Sequence, residues 1–177
     1  LNIDESERRA QRLRSLTRQK LEFTPQRRND MDFIFLVAAP KQARQIKPTL
    51  AFHFAGNIPV FATSHIFSGN ASPLLDRDLD GIIFCEVPWM LEDYQNNPIK
   101  LQIQTIWPET AGPLGRLYAL GVDSYHLFPR ITQLAMLPDG TLDGATGKLT
   151  LAPNGRVVRR LGWAKIDNGR IRQLANP

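Results

Sequence analysis

The sequence predicts an α/β fold: an open, doubly wound, mostly parallel sheet with a crossing helical segment and a C-terminal antiparallel meander. Three observations predict it. Short, nearly continuous apolar runs alternate with segments of helical spacing over the first half of the chain, as in a layer of strands and crossover helices. A long middle stretch then keeps large apolar residues three or four positions apart, so helices interrupt the sheet. Near the end, two Asn-Gly pairs separate closely spaced strand-like runs. A tight hairpin turn needs positive φ at its centre, and these residues tolerate it best.

Taken in order, Ala10, Leu13, Leu16 and Leu21 lie near helical spacing among basic residues, which places a helix from about Ser6 to Lys20. The polar stretch from Thr24 to Asp30 carries Pro25 as a breaker. The run Asp32-Phe33-Ile34-Phe35-Leu36-Val37-Ala38-Ala39 has the length and composition of a strand covered on both faces. Pro40 suits the first turn of a helix continued by Ala43, Ile46, Leu50 and Phe54 and stopped at Gly56-Asn57, with Pro48 placed to kink it. Further buried-type strands are expected at Pro59 to Ser64 and Gly81 to Val87. From Pro98 to Leu137 the pattern is helical, most clearly around Leu114, Leu117, Tyr118 and Leu120. Gly147 to Leu151, Arg156 to Ile166 and Arg170 to Arg172 read as three strands, with turns at Pro153-Asn154-Gly155 and Asp167-Asn168-Gly169.

Composition narrows the function. At 177 residues with 42% hydrophobic and 22% charged side chains, the chain is long and apolar enough to bury a core, which excludes general disorder. A single cysteine, Cys85, excludes an internal disulfide framework and leaves the redox compartment open. The net charge of +5 favours a polyanionic partner. The charge is polarised, however: arginines gather at positions 8–18 and 156–172 around an acidic middle. Neither basic stretch is interleaved with aromatics for stacking on bases, so no nucleic-acid partner is expected. No apolar run approaches the roughly 20 residues of a membrane span, and residues 1–7 lack the pattern of a signal peptide. The chain begins at Leu1 and not at Met, which leaves room upstream for an export signal or anchor.

Motif by motif, reactive chemistry finds little support. Asp76, Asp78 and Asp80 with Gly81 repeat the spacing of a calcium loop, but its closing bidentate Glu would fall at Val87; an acidic turn before a strand is the simpler reading. Gly144 to Thr150 approximates a phosphate loop, yet Leu142 and Leu149 stand where glycine and a hydroxyl residue are needed. His53, His65 and His126 are too scattered for a metal site, and Cys85 lies in an apolar run where a thiol behaves as a small hydrophobe. No metal, cofactor or catalytic group is therefore expected. Open α/β sheets place ligands outside the carboxyl ends of their strands. The candidates there are Ala39 (followed by Pro40), Ser64, His65 and Glu86, whose bland alternative is simple capping of strands and helices.

The order of elements resembles the distal half of type I periplasmic binding proteins. Sharper likenesses lie in the block from Asp32 to Pro48, the run Val60 to Ser64 and the block from Arg116 to Tyr125. Together, over about Arg8 to Arg172, they resemble the LpoA (formerly LppC) family of penicillin-binding protein activators. That resemblance implies an outer-membrane lipoprotein in the periplasm of Gram-negative bacteria, tethered through a lipid anchor upstream of this chain. It implies a non-enzymatic regulator that binds and activates a bifunctional class A penicillin-binding protein, the peptidoglycan synthase. By the same analogy, residues 1–88 and 140–177 form one lobe, and 89–139 cross to a second lobe mostly outside this chain. The alternative from another class is a periplasmic receptor that closes two lobes on an amino acid or similar solute; a third is a cell-wall hydrolase.

Overall fold

The computed structural model describes residues 3–20, 22–24, 30–110, 112–137 and 139–175; Leu21 and the Pro25 breaker lie outside them. Eight strands are found there: β1 (Ile34–Leu36), β2 (Val60–Ala62), β3 (Ile83–Glu86), β4 (Thr141–Gly144), β5 (Gly147–Leu151), β6 (Val157–Arg160), β7 (Gly162–Asp167) and β8 (Arg170–Leu174). Six α-helices accompany them: α1 (Ile3–Thr17), α2 (Pro40–Phe52), α3 (Pro73–Asp76), α4 (Pro98–Ile106), α5 (Gly115–Leu127) and α6 (Ile131–Met136). The main sheet has the order β1-β2-β3-β7-β8, parallel through β3 and antiparallel beyond it. A second sheet, β4-β5-β6, is antiparallel throughout.

The expected strand–helix alternation is present, and its core follows from period-two side-chain placement. Leu36, Val60, Ala62, Phe84, Ala164 and Ile166 line one face of the main sheet and pack with Ala43 of α2 and with Ile66 and Leu79. Right-handed crossovers that add β2 and then β3 in one direction put both connections on that same face. The other face runs through Phe35, Phe61 and Ile83, with Phe33 edge-on to Phe61 at 5.9 Å and Phe61 edge-on to Trp163 at 6.4 Å. The expectation that the first strand is covered on both faces is corrected here: Phe33, Phe35 and Val37 are exposed.

Helix α2 starts at Pro40 as the sequence predicts. A proline at N1 gives up an N–H that has no helical partner, and the Gln42 side chain accepts the Ala39 N–H at 3.3 Å. Helix α1 begins three residues before Ser6, with Asp4 and Glu5 on the favourable end of the dipole. It buries Ser6 and Ala10 and leaves Leu13 and Leu16 exposed, so spacing located the helix without identifying its inward face.

The C-terminal region differs most from expectation. The run from Arg156 to Ile166 is two strands divided at Leu161, with β6 in the small sheet and β7 in the main one. The meander is thus shared between two sheets, and β4, not anticipated, supplies the small sheet's first strand. Strand β7 alternates buried and less buried residues, whereas all of β6 is exposed. The predicted turn at Asn168-Gly169 is present with φ of 53° and 71°, both positive as a type I′ turn requires. A Cβ at Gly169 would stand 2.1 Å from the Pro73 carbonyl oxygen.

Candidate functional site

The carboxyl ends of β1, β2 and β3 lie side by side in the parallel part of the main sheet. Ala39 caps α2 and is exposed. Ser64 and His65 open a 3-10 turn, Ser64–Ile66, immediately after β2. His65 is exposed, and its Nδ1 lies 3.2 Å from the Thr63 hydroxyl. Glu86 ends β3 and is fully buried.

A buried carboxylate is tolerable only when it is paired and hydrogen-bonded. Arg116, in the first turn of α5, meets that need for Glu86. Its Nε donates to Oε1 at 3.0 Å, its Nη2 forms a short contact with Oε2, and the Val87 N–H donates to Oε1 at 2.9 Å. The same Nη2 donates to the carbonyls of Ser64 and Phe67, each at 3.0 Å. The guanidinium therefore joins Glu86 and Ser64, and it is occupied in doing so. Of the expected crevice residues, Ala39 and His65 are exposed and Ser64 is half-buried, while Glu86 is enclosed.

Two turns further along the same helix, Asp123 makes the matching contact with the small sheet. Its carboxylate accepts the Ala145 N–H at 2.6 Å, the Thr146 N–H at 2.7 Å and the Thr146 hydroxyl at 2.5 Å. Gly144 is required beside it, since a Cβ there would come within 2.7 Å of both carboxylate oxygens. Arg116, Ala119 and Asp123 share one helix face at three- and four-residue steps, and Ala119 is wholly buried. Helix α5 is thus held to the main sheet at one end and to the small sheet at the other. Val87, Trp89 and Ala145 close the gap as a second apolar cluster with Ala119.

Lys100 completes this region. It is buried, donates to the Trp89 carbonyl and to Gln95 Oε1 at 3.1 Å, and lies 5.6 Å from the centre of the Trp89 ring. Burial lowers its pKa below the ordinary 10.5, while burial and then the Asp123 charge raise that of Tyr94. For a base with a depressed folded value, the unfolded chain holds more protons, so Lys100 adds stability as pH climbs toward 10.5. Lys100→Met is expected to remove that rise, whatever the loss of its bonds to the Trp89 carbonyl and Gln95 costs at neutral pH. A variant whose midpoint parallels the parent's across the alkaline series contradicts the assignment.

Asp76 and Asp80 of the acidic middle are structural in the same manner. Asp76 accepts from Arg44 at 2.7 Å and from the Ser72 N–H at 2.9 Å, and Asp80 accepts the Gly169 N–H at 2.8 Å. Among the described residues no cluster of three or more His, Cys, Asp or Glu is placed to hold a metal. Beyond the ion pairs, α4 and α5 leave an open apolar groove of about 930 Å³ lined by Ile99, Ile103, Trp107, Leu117, Tyr118 and Val122. No helix is long and apolar enough to cross a membrane among the described residues.

Comparison with known proteins places these features in context. A family model described as "LppC putative lipoprotein" matches residues 1–169. The penicillin-binding protein activator LpoA of Vibrio antiquarius (strain Ex25) is 32% identical over 166 residues, 92% of this chain and 27% of that protein. The chain therefore spans about a quarter of the length of the curated relatives it matches. Among solved structures, the C-domain of LpoA from Haemophilus influenzae, described as a regulator of PBP1A, superimposes with a TM-score of 0.71. It is 24% identical and covers 85% of this chain and 46% of that one. A structure assigned to a branched-chain amino acid ABC transporter of Chromobacterium violaceum gives 0.54 at 27% identity, covering 88% of this chain and 52% of that one. The α/β architecture of the LpoA C-domain and of periplasmic-binding-protein-like folds is thereby the architecture of this chain.

Proposed function

The chain belongs to the LppC lipoprotein family, and from that membership we propose that it is part of a non-enzymatic regulator that binds and activates a class A penicillin-binding protein in peptidoglycan synthesis. The observation that carries this reading is the match over nearly the whole chain to relatives named penicillin-binding protein activator. The site geometry agrees with it. The buried carboxylate at the strand ends is neutralised by Arg116, and Asp123 is saturated with hydrogen bonds, so both hold elements together instead of standing ready to move a proton. An activator needs only a contact surface and a higher affinity for the active form of its partner.

In this proposal the protein works in the periplasm, tethered to the outer membrane through a lipid anchor outside this chain. Residues 1–88 and 140–177 build one lobe, and 89–139 cross to a second. The exposed apolar groove between α4 and α5 supports that crossing, because Leu101, Ile106, Leu117 and Leu120 on these helices also face water and apolar side chains gain by being covered. Immobilised full-length protein is expected to retain a purified class A synthase in a saturable manner; no retention counts against the proposal.

The receptor alternative gains some support from the likeness to a transporter component, and its crevice would be lined by Ala39, Ser64 and His65. Glu86 weighs against it, being committed to Arg116. A thermal-shift screen of amino acids and muropeptides on the complete domain separates the two, because only a receptor is stabilised in proportion to ligand concentration over its Kd.

A further inference from the structure

We propose that the free edge of β6 is a docking strand for an extended, acidic segment of a partner polypeptide, which adds to the small sheet as a fourth strand. Strand β6 closes the order β4-β5-β6, and its outer side is unpaired among the described residues. The Ala152 N–H donates to the Arg156 carbonyl at 2.9 Å, and bonded positions alternate along an antiparallel pair. Val158 and Arg160 therefore bond toward β5, while Val157 and Arg159 turn their N–H and C=O groups outward. All four residues of the strand are exposed. Open edges are commonly blunted by a proline, a bulge or charged side chains; β6 has no proline and an unbroken register with β5, so its arginines are what guard it. They repel a like-charged strand while admitting an acidic one.

Charge specifies the occupant. Arg156, Arg159 and Arg160 are exposed and make no ion pair among the described residues. Lys148 sits opposite Arg160, and its nearest carboxylate, on Asp143, is 3.8 Å away. At the β8 edge of the main sheet, by contrast, Arg172 already has Asp167 at 3.6 Å. Like charges directly opposite are destabilising, so β6 resists pairing with a second copy of itself. Carboxylates on an incoming strand would find the three arginines unclaimed. Backbone bonds supply the affinity of such strand addition, and side chains select the partner.

The test uses the 177-residue chain and a blocked octapeptide of alternating Glu and Val, with alternating Lys and Val as control. Amide exchange followed by NMR is expected to slow at Val157 and Arg159 on adding the acidic peptide and to stay unchanged with the basic one. Val157→Pro keeps every charge and removes one outward donor that β5 does not use, so acidic-peptide affinity is expected to fall about tenfold. Arg159→Glu is expected to abolish binding. Unchanged exchange at the two amides, equal affinity in Val157→Pro, or peptide-independent dimerisation through this edge would each overturn the proposal. It stands independently of the activator reading, since the probe is not the synthase.

Discussion

Replacing Arg116 by Met is expected to destabilise the chain by about 3–5 kcal/mol, the range for removing one partner of a buried ion pair. Glu86 is fully enclosed and Arg116 only 28% exposed, so the orphaned carboxylate has little water to turn to. Among the described residues it keeps a single hydrogen bond, from the Val87 N–H, and the carbonyls of Ser64 and Phe67 lose the Arg116 donor at the same time. Glu86→Gln should cost less, because Arg116 retains two carbonyl acceptors and some solvent. The double variant Glu86→Gln/Arg116→Met should be more stable than Arg116→Met alone, since no charge is left buried. Urea midpoints at constant slope measure all three. An Arg116→Met midpoint matching the parent's would show that the pair does not hold α5 to the main sheet.

Asp123→Asn is expected to cost about 3 kcal/mol, although it changes almost no volume. The carboxylate accepts two backbone N–H groups and one hydroxyl, and an amide must turn a donor toward at least one of them. Hydrogen bonds to a charged acceptor contribute about 1.5–3 kcal/mol each, and a buried donor left unsatisfied costs about 1–3. The loss should be local at first: amide exchange at Ala145 and Thr146 should speed up before the main sheet responds. A second readout is the Tyr94 phenol. Its pKa is raised by burial and then by the Asp123 charge, so removing the charge should lower it toward the ordinary value of 10.0. An unmoved phenol titration together with unchanged exchange at Thr146 would contradict the geometry.

Much of the fold was legible in the sequence where a local rule and the tertiary packing agree. The apolar run at 32–39, Pro40 at a helix start and Asn168-Gly169 at a hairpin each name their own conformation. The division of 156–166 was harder, because valines and arginines are compatible with a strand in either sheet. The available signal was the loss of alternation at Arg159-Arg160, followed by regular alternation from Gly162 onward. The site was only partly legible. The strand ends were located correctly, but Arg116, which joins Glu86 to Ser64, and Asp123, which holds the turn at Ala145 and Thr146, were passed over within an apolar helix. Two opposite charges seven residues apart fall on one helix face, and Ala119 between them marks that face as inward. Sequence spacing shows this, but the partners, Glu86 and the turn at Ala145, come from distant segments that only the folded chain brings near.

Both charged contacts serve to lock a helix between two sheets, which suits the proposed action by contact with a macromolecule. The most direct measurement is the rate of peptidoglycan crosslinking by a purified class A synthase, titrated with the complete protein that contains this chain. The rate should rise and saturate, with no consumption of peptidoglycan when the synthase is left out. A flat rate across the titration, or turnover of peptidoglycan by the protein alone, would contradict the account.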